Sequence, residues 1–321
     1  ATKAREWLDR DKVDALADLT NSAGALAVQK LIKEKGGIAM YSGPATTRLT
    51  EDDCAENGFH WMFDTYSSAA GAAVALTKAG DKSWFFVTVD YAFGHSLEKD
   101  ASDMVKANGG TVVGSVRHPL NASDFSSFIL QAQNSKAQVI GLANGAQDTV
   151  NAIKAAREFG ITGAKGQKVA ALLMFLTDVH SLGLRQAQGL MFSEGFYWDM
   201  DDKTRAFSAR FEKLHKGFKP TMVQAGVYSS VLHYLKSVAA AKTDDWKVVA
   251  QKMRELPIDD PVMRNASIRP DGRVIHDMYL FQVKTPAESK GAWDYYKTVS
   301  TIPANAAFKP LAQSTCPLVK K

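Results

Sequence analysis

The stretch VDALADLTNSAGALAVQK, Val13 to Lys30, decides how the rest of the chain is interpreted. An apolar strand, VDALADL (13–19), runs directly into Thr20, Asn21 and Ser22, and a helix of small residues follows at once. A single Ser, Thr, Asp or Asn is enough to cap a helix N-terminus. Three such residues in a row are typical either of a cap or of a helix start that binds an anion. The residues alone leave both interpretations open.

The alternation of strand and helix continues from this stretch up to Trp198. Such alternation favours an α/β architecture, in which parallel strands form sheets that are flanked by helices. The predicted strands lie at 37–43, 83–90, 111–118, 137–144, 168–175 and 189–198, and the predicted helices at 21–35, 67–79, 91–108, 123–135 and 146–159.

The pattern of the chain changes near residues 63–66 and again near 196–200. This indicates that the chain leaves one α/β lobe, builds a second and then returns. Farther along, RPDGRV (269–274) between NASI and IHDMYLFQV predicts a β-hairpin, and the tail from Pro303 is predicted as coil over the surface. Three helical patterns precede the hairpin without a strand between them, at 202–216, 223–241 and 244–256.

Composition excludes several classes of protein. Of 321 residues, 45% are hydrophobic and 23% are charged, as in ordinary globular proteins, and the net charge of +5 is spread among both signs. This mild charge does not indicate nucleic-acid binding. The longest apolar runs, such as VAALLMFL (169–176), are too short to span a membrane. The first residues, ATKAREWLDRDK, are polar and helical in character, so no signal peptide is expected in this chain.

The motifs that would indicate an enzyme or a metal site do not occur. Neither GxSxG nor GxxxxGK[ST] is present, and the seven histidines are dispersed. GITGAKG (160–166) spaces three glycines, but it follows a helix and precedes a strand, so we expect a loop that ends the helix. DMDDKT (199–204) lacks the central Gly and the final Glu of a calcium loop and is expected to cap the next helix. We therefore predict no catalytic residue, no metal and no cofactor.

Small polar or aromatic residues follow five of the predicted strands. In open α/β sheets, ligands bind beyond the carboxyl ends of the strands. Each of these segments alone is more typical of a loop or cap, but their repetition predicts the lining of one cleft. The segments are Thr20–Ser22, Ser42–Thr46, Asp90–Gly94, Asn144–Ala146 and Phe175–Asp178.

The whole chain resembles the periplasmic solute-binding proteins of branched-chain amino-acid type, which supply ATP-binding-cassette (ABC) importers. The resemblance lies in VDALADLTNSAGALAVQK, in GIAMYSGPATTRLT (37–50), in WFFVTVDYAFGHSLEKD (84–100) and in SDFSSFILQAQNSKAQVIGLANGAQDTVNAIKAAREFGI (123–161). The segment RPDGRVIHDMYLFQVKTPAESKGAWDYYK (269–297) resembles the subgroup that is associated with aromatic-acid uptake.

The resemblance implies a type I periplasmic-binding fold, with two lobes that are joined by three hinge crossings and close over a ligand. It assigns 1–64 and 197–275 to lobe 1, and 65–196 and 276–302 to lobe 2 and the hinge strands, with 303–321 as the C-terminal tail. Family members begin with a further strand, helix and strand, so about 60 residues of lobe 1 are expected to be absent from this chain.

The resemblance also implies a function in transport. The protein is expected to be a periplasmic monomer that binds a small organic anion in the interlobe cleft and delivers it to the membrane permease of an ABC importer. The signal peptide for export is not expected within this chain. A soluble ligand sensor on the same two lobes stays open as an alternative, because these lobes also serve as sensors.

The family's binding residues map onto the strand ends of this sequence. The residues that match Asn21 and Ser22 hold the ligand carboxylate, which favours the anion-binding interpretation of the opening stretch. Family members bind the ligand ammonium with an acidic residue after the strand that matches 168–175, but here Phe175 occupies that position. A buried ammonium would then lack a partner, which costs several kcal/mol. An aromatic carboxylate such as a benzoate or hydroxycinnamate is therefore expected.

The expected ligand contacts follow from that assignment. The carboxylate is expected to meet Asn21, Ser22 and Thr46, and the ring to lie between Phe93 and Phe175. Asn144 or Gln224 could meet a ring hydroxyl. An alternative is that Phe93 and Phe175 are core residues and that the ligand is a branched-chain amino acid or an aliphatic oxo-acid. The full predicted set is Asn21, Ser22, Ala45, Thr46, Tyr66, Tyr91, Phe93, Asn144, Phe175, Trp198 and Gln224.

The two cysteines, Cys54 and Cys316, lie far apart in the sequence. From the residues alone, a disulfide and two free thiols are equally compatible with this pattern. The resemblance implies an oxidising compartment, and it therefore predicts a disulfide that ties the C-terminal tail to lobe 1 near the hinge.

Overall fold

The computed structural model describes residues 1–161 and 166–320. The middle of the predicted GITGAKG loop, 162–165, lies outside the described residues. The chain forms two compact units, each with its own sheet. Unit 1 comprises Ala1–Asp64, Gly195–Asp277 and Pro303–Lys321, and unit 2 comprises Thr65–Glu194 and Met278–Ile302. The assignment of lobes that move about hinges stays a prediction.

The helices and strands alternate along most of the chain. The described helices are α1 Thr2–Asp9, α2 Ser22–Lys35, α3 Thr65–Lys78, α4 Ala92–Ala107, α5 Ser126–Asn134, α6 Ala146–Glu158, α7 Leu176–Leu182, α8 Leu184–Ala187, α9 Asp202–Leu214, α10 Met222–Ala241, α11 Trp246–Glu255 and α12 Ala304–Ala307. The described strands are β1 Ala15–Ala17, β2 Ile38–Tyr41, β3 Gly58–His60, β4 Ser83–Val89, β5 Thr111–His118, β6 Val139–Ala143, β7 Lys168–Ala171, β8 Met191–Glu194, β9 Ser267–Ile268, β10 Val274–Ile275, β11 Met278–Val283 and β12 Tyr296–Ile302.

Unit 1 is built on a parallel sheet in the order β1-β2-β3. All four residues of β2 are buried, as expected for a central strand that is covered on both faces. Leu16 of β1 and Tyr41 of β2 pack with Ala25, Val28 and Ile32 of α2 in one hydrophobic cluster. This packing sets the start of α2 beside the carboxyl ends of the strands.

Unit 2 contains a parallel sheet in the order β5-β4-β6-β7. A second sheet, in the order β12-β11-β8, is antiparallel, and α3 packs against β8. The central strand β6 is buried along its whole length, which agrees with its continuous apolar run. The predicted α/β class with parallel, helix-flanked sheets is confirmed.

Side-chain caps explain where several helices begin. Asn21 precedes α2, and its Oδ1 accepts a hydrogen bond from the N–H of Gly24 at 2.9 Å. Asp201 precedes α9 in the same way and accepts from the N–H of Thr204 at 2.9 Å. This confirms the predicted cap within DMDDKT. Such caps satisfy N–H groups that have no partner inside the helix.

Several predicted strands are shorter in the structure, and two strands, β3 and β12, were not predicted. The strand at 168–175 ends at Ala171, and the strand at 189–198 covers only Met191–Glu194. Leu172 to Met174 stay buried although they leave the sheet, and a buried apolar run does not reveal by itself whether it is strand. The helices α7 and α8 follow, and neither was predicted. The edge strand β12 was also missed, although YKTVSTI is rich in β-branched residues.

The predicted hairpin is present but short. β9 and β10 pair antiparallel, and Gly272 adopts a positive φ of 82° in the turn between them. IHDMYLFQV does not continue as the second arm, because β11 pairs instead with β8 and β12. The arm that matches the prediction is therefore only Val274–Ile275.

The C-terminal tail is fastened to unit 1. The predicted disulfide between Cys54 and Cys316 is confirmed. The Glu51 carboxylate accepts hydrogen bonds from Lys309 Nζ at 2.7 Å and from the N–H of Thr315 at 2.9 Å. The tail is not only surface coil as predicted, because it contains α12 and buries Phe308.

The buried Arg273 connects the C-terminal tail to residues 61–64 of unit 1. Arg273 donates hydrogen bonds to the carbonyl oxygens of Phe63 and Trp61, each at 3.1 Å, and its guanidinium lies 4.2 Å from the Phe308 ring centroid. Its nearest carboxylate is that of Asp64, at 3.5 Å. Desolvation lowers the pKa of Arg273 to about 10, so the group stays charged.

Among the described helices, none is both long and apolar enough to cross a membrane.

Candidate functional site

The predicted carboxylate-binding residues of unit 1 lie together where β1 and β2 end. Ser22 begins α2 and is 2% exposed. Its Oγ accepts hydrogen bonds from the N–H groups of Ala45 and Thr46, both at 3.3 Å. The start of α2 and the loop after β2 are therefore joined through one hydroxyl group. Asn21 precedes Ser22 and is exposed, but its Oδ1 is occupied by the cap on Gly24.

Two buried hydroxyl groups of the same loop lack a partner. Thr46 is 0% exposed and Ser42 is 1% exposed, and neither hydroxyl oxygen forms a hydrogen bond with any described residue. Most buried polar groups are paired, and leaving one unpaired costs about 1–3 kcal/mol. Both hydroxyls can donate, so the loop offers two neutral donors to an acceptor that the protein itself does not supply.

The backbone of this loop is held from two sides. His60 Nε2 lies 2.7 Å from the carbonyl oxygen of Pro44, which fixes the proton on that nitrogen. Burial and the charge of Arg273 place the pKa of His60 well below its ordinary value, so the imidazole is neutral. At Gly43, a Cβ atom would lie 2.8 Å from Asp18 Oδ1 and 3.1 Å from the Cα atom of Thr20, so a larger residue would require its neighbours to shift. The donors of the loop are thus held in place before any ligand arrives.

Asp18 is a polar residue near this loop that sequence reasoning missed. It directly follows β1 with a positive φ of 52°, and its Oδ1 is buried without a partner among the described residues. Burial raises the pKa of this carboxyl group. The strand-end rule could have indicated Asp18, since it immediately precedes the segment Thr20–Ser22 that was singled out.

Gln224 and Trp198 lie on other segments of unit 1, namely α10 and the stretch between β8 and α9. Gln224 Oε1 accepts the N–H of Thr221 at 2.9 Å and serves as the capping box of α10. Gln224 also lines a cavity of about 710 Å³ with Asp18, Thr20 and the apolar side chains of α9 and α10, and Asp18 and Thr20 lie near Gly43 of the loop. The indole of Trp198 lies under Lys219, whose Nζ is 4.5 Å from the ring centroid.

The aromatic residues of unit 2 lie beyond the ends of β4 and β6. Tyr91 precedes α4, and its ring centroid is 5.9 Å from that of Phe93. Phe93 is buried, and a Cβ atom placed on Gly145 would lie 3.6 Å from its ring. Burial and the charge of Asp148 raise the pKa of Tyr91, so its hydroxyl stays protonated at neutral pH. Tyr66 lies in the first turn of α3 and is half-buried.

Asn144 is occupied by hydrogen bonds within unit 2. It is fully buried, its Oδ1 accepts from Thr149 Oγ1 at 2.8 Å, and its Nδ2 lies 3.1 Å from His118 Nε2. His118 Nδ1 lies 2.9 Å from the carbonyl oxygen of Pro119, so the Nδ1–H tautomer completes this chain of hydrogen bonds. Asn144 therefore connects β6, α6 and the end of β5 inside the protein.

Phe175 precedes α7, where a buried carboxylate holds its backbone. The N–H of Phe175 donates to Asp178 Oδ2 at 2.8 Å, and the Phe175 carbonyl accepts from the N–H of Asp178 at 2.9 Å. Burial raises the pKa of Asp178 to about 6, although the hydrogen bond from Phe175 opposes this shift.

A second buried acid lies near Asp178. Glu194 ends β8, is 1% exposed, and accepts a hydrogen bond from the Tyr296 hydroxyl at 2.9 Å. Burial places its pKa well above the ordinary value, and the charge of Asp178 acts in the same direction. Sequence reasoning placed Asp178 in the cleft-lining segment Phe175–Asp178 but did not pair it with Glu194, which lay within a predicted strand. Among the described residues, no group of three or more possible metal ligands occurs.

Residues 1–292 match the family described as periplasmic binding protein. The chain belongs to this family. It is 50% identical to a periplasmic binding protein from Burkholderia mallei, whose crystal structure it matches with a TM-score of 0.96 over 99% of this chain and 84% of that one.

Two further structures extend the comparison. A branched-chain amino-acid ABC transporter periplasmic ligand-binding protein from Burkholderia xenovorans is 41% identical, with a TM-score of 0.88 over 99% of this chain and 85% of that chain. A solute-binding protein of an ABC transporter from R. palustris, in complex with 4-hydroxybenzoate, is 23% identical, with a TM-score of 0.83 over 100% of this chain and 84% of that one. The last of these shows the fold alone.

These comparisons confirm the type I periplasmic-binding fold that the sequence predicted. The chain is a substrate-binding protein of the ABC-transporter type, and its family implies a small ligand and a permease partner. Proteins of this family act in transport and not as enzymes.

Proposed function

We propose that this protein binds a small aromatic carboxylate, such as a benzoate or hydroxycinnamate, and delivers it to the permease of an ABC importer from the periplasm. The observation that carries the proposal is the pair of buried, unpartnered hydroxyl groups of Ser42 and Thr46 beside the start of α2. A ligand that accepts several hydrogen bonds would satisfy both hydroxyls.

The carboxylate end of the ligand is assigned to unit 1. A carboxylate has four lone-pair positions and donates nothing, so it fits the hydroxyl donors and the positive end of the α2 dipole. Ser22 keeps the N–H groups of Ala45 and Thr46 directed at one point, which a carboxylate oxygen could share or replace. In this proposal Ser22, Ala45 and Thr46 contact the ligand, while Asn21 acts through the cap.

The ring of the ligand is assigned to the aromatic residues of unit 2. Tyr91 and Phe93 form a tilted pair, and such rings favour edge-to-face or offset contacts with a flat ligand. Phe175 takes the position at which related proteins place an acidic residue, and Tyr66 and Trp198 remain proposed contacts. The R. palustris relative that binds 4-hydroxybenzoate supports the proposal as an example of this ligand class on this fold.

A second candidate is a branched-chain amino acid, and Asp178 favours it. This buried carboxyl group lies only three residues after Phe175 and could in principle face an ammonium group. Its Oδ2 already accepts from the Phe175 N–H, however, and its raised pKa indicates a site that disfavours negative charge. An aliphatic oxo-acid would use the same carboxylate residues without an ammonium partner, and a soluble sensor would bind by the same contacts.

Calorimetry with stripped protein tests the proposal. The protein is unfolded, dialysed and refolded to remove bound ligand, and it is then titrated with benzoate, 4-hydroxybenzoate, leucine and 4-methyl-2-oxopentanoate. We expect binding heat from the aromatic acids and none from leucine. Tight binding of leucine with no heat from either aromatic acid would overturn the ligand assignment. Binding of the oxo-acid alone would keep the carboxylate residues and remove the ring contacts.

The transport role has its own test. Proteoliposomes with the cognate permease and ATPase should hydrolyse ATP faster when the loaded protein is added, and the protein should elute as a monomer in gel filtration. No ligand turnover is expected, since the protein acts by binding. A turnover rate that survives repurification and is lost on substitution of Thr46 would contradict the assignment as a non-enzyme.

A further inference from the structure

We propose that Asp178 is a positioning residue that holds the Phe175 backbone in place when ionised and releases it when protonated, so that ligand affinity falls as the pH is lowered. The inference rests on the proposed function, since Phe175 is one of the proposed ring contacts. It concerns a group that does not itself touch the ligand.

The geometry places Asp178 in a reciprocal pair with Phe175. Asp178 Oδ2 accepts the Phe175 N–H at 2.8 Å, and the Asp178 N–H donates to the Phe175 carbonyl at 2.9 Å. The side chain is 8% exposed, so water has little access to this contact. The dihedral angles of Phe175 are extended, at φ −115° and ψ 159°, and the two hydrogen bonds fix the residue at the point where the chain turns into α7.

The surroundings of Asp178 leave its charge without compensation. Glu194 of β8 faces it, with Tyr296 of β12 hydrogen-bonded to Glu194. Asp178 forms no ion pair with any Lys or Arg of residues 1–161 and 166–320. On α7 itself, His180 bonds to the Tyr295 hydroxyl instead. The helices α6 and α8 pack against α7. Their charged groups are Asp148, Lys154, Arg157, Glu158 and Arg185.

In this environment, Asp178 changes its protonation state within a pH range that experiments on the folded protein can cover. Burial raises the pKa of Asp178 to about 6, so the group is ionised above that pH and protonated below it. Burial also places the pKa of Glu194 well above the ordinary value, and the charge of Asp178 acts in the same direction. A carboxylate accepts an N–H bond about twice as strongly as a neutral carboxyl group does. Protonation therefore weakens the bond that holds Phe175.

The first experiment measures benzoate affinity by calorimetry at about pH 7.5 and about pH 5, a window that spans the raised pKa but leaves benzoate ionised. Wild-type affinity should fall by about fivefold at the lower pH. Asp178→Asn keeps a neutral acceptor and should bind equally at both pH values. Asp124→Asn is the matched control, because the exposed Asp124 also accepts a backbone N–H, from Ser126 at 2.8 Å. Its profile should follow the wild type.

The second experiment follows the Phe175 amide in ligand-free protein by nitrogen-15 NMR. Its chemical shift should titrate with a midpoint near the pKa of Asp178 and should lose this step in Asp178→Asn. A flat wild-type affinity profile, or a Phe175 amide that does not titrate, overturns the inference while leaving the proposed function intact. If benzoate binds at no pH, the proposed function fails, and the amide titration alone then decides whether Asp178 holds Phe175.

Discussion

The strand ends of the two units contain similar residue types but use them differently. In unit 1, Ser42 and Thr46 are buried with hydroxyls that no described residue satisfies. In unit 2, the polar residue Asn144 is hydrogen-bonded to Thr149 and His118, and the aromatic pair of Tyr91 and Phe93 lies beyond the strands. The polar groups that a strand end offers to a ligand are therefore those that have no hydrogen-bond partner within the protein.

The largest expected difference between the units is covalent. Unit 1 contains the Cys54–Cys316 disulfide, and unit 2 has no disulfide in the described chain. The chain-entropy treatment gives about 5 kcal/mol as an upper value for so long a closed loop. Reduction should lower the free energy of unfolding by up to this amount, and hydrogen exchange should show the loss in unit 1 first.

Single substitutions Cys54→Ser and Cys316→Ser serve as controls, since both should reproduce the effect of reduction. Equal loss of exchange protection in the two units would contradict the assignment of the disulfide to unit 1. Two free thiols in exported protein, found by mass mapping without reductant, would contradict the pairing itself.

Asn144 is expected to stabilise the fold of unit 2 and not to contact the ligand. Asn144→Ala leaves Thr149 Oγ1 and His118 Nε2 without their partner, which should lower the free energy of unfolding by about 3 kcal/mol. Chemical denaturation measures this loss. Asn151→Ala is the control, because Asn151 lies on α6, the helix that follows Asn144, and is only half-buried.

The affinity of folded Asn144→Ala for benzoate should stay close to that of the wild type. A variant that unfolds like the wild type but loses 4-hydroxybenzoate selectively would show instead that Asn144 meets the ring hydroxyl. In that case the contrast between the two units would be smaller than the ligand-free structure indicates.

In contrast to Asn144, Thr46 should contribute to ligand affinity and not to the stability of the ligand-free protein. Thr46→Val keeps the shape of the side chain and removes the unpartnered hydroxyl, so ligand-free stability should rise by about 1 kcal/mol. Affinity for benzoate should fall by about thirtyfold, or about 2 kcal/mol, because a hydrogen bond to a carboxylate is lost. Calorimetry and thermal unfolding measure the two effects.

Thr50→Val provides the matched control, since Thr50 is buried nearby but donates to the Thr47 carbonyl at 3.3 Å. It should lose stability and keep its affinity. A Thr46→Val protein that binds benzoate as tightly as the wild type would remove Thr46 from the proposed site.

The smallest effect concerns the charge of Asp178 in unit 2. Its pKa in the folded protein, about 6, lies above the ordinary value of 3.8, so the stabilisation is present at low pH and is lost as the pH rises through about 6. Between pH 5 and pH 8 the wild type should lose about 1.4 kcal/mol relative to Asp178→Asn, which does not titrate there. Denaturant unfolding at both pH values measures this difference, and a constant difference would contradict the raised pKa.

The parts of the site that sequence reasoning found are those with local signals. Asn21 and Ser22 were predicted because a strand followed at once by cap residues is recognisable within a few positions. The use of Asn144 was not predictable, since His118 and Thr149 reach it from other elements. The pairing of Asp178 with Glu194 was not predictable for the same reason: the burial of an acid depends on packing between α7, β8 and β12.

The strands show the same difference between features that the local sequence determines and features that depend on tertiary contacts. The parallel sheets followed from alternating patterns, and their strands β4, β5 and β6 lie close to the predicted limits. The apolar run after Lys168 was extended too far, because Leu172 to Met174 are buried without joining the sheet. Only tertiary contacts distinguish those two kinds of buried residue.

The contacts of Arg273 have a consequence for the order in which a newly made chain can fold. The parallel sheet of unit 2 lies entirely within one continuous stretch, from Ser83 to Ala171, and can assemble as soon as that stretch has left the ribosome or the export channel. Unit 1 cannot do the same, because Arg273 must find the carbonyls of Trp61 and Phe63 and the ring of Phe308. Residues 1–64, which are synthesised before unit 2, thus belong to the part of the molecule that is finished last.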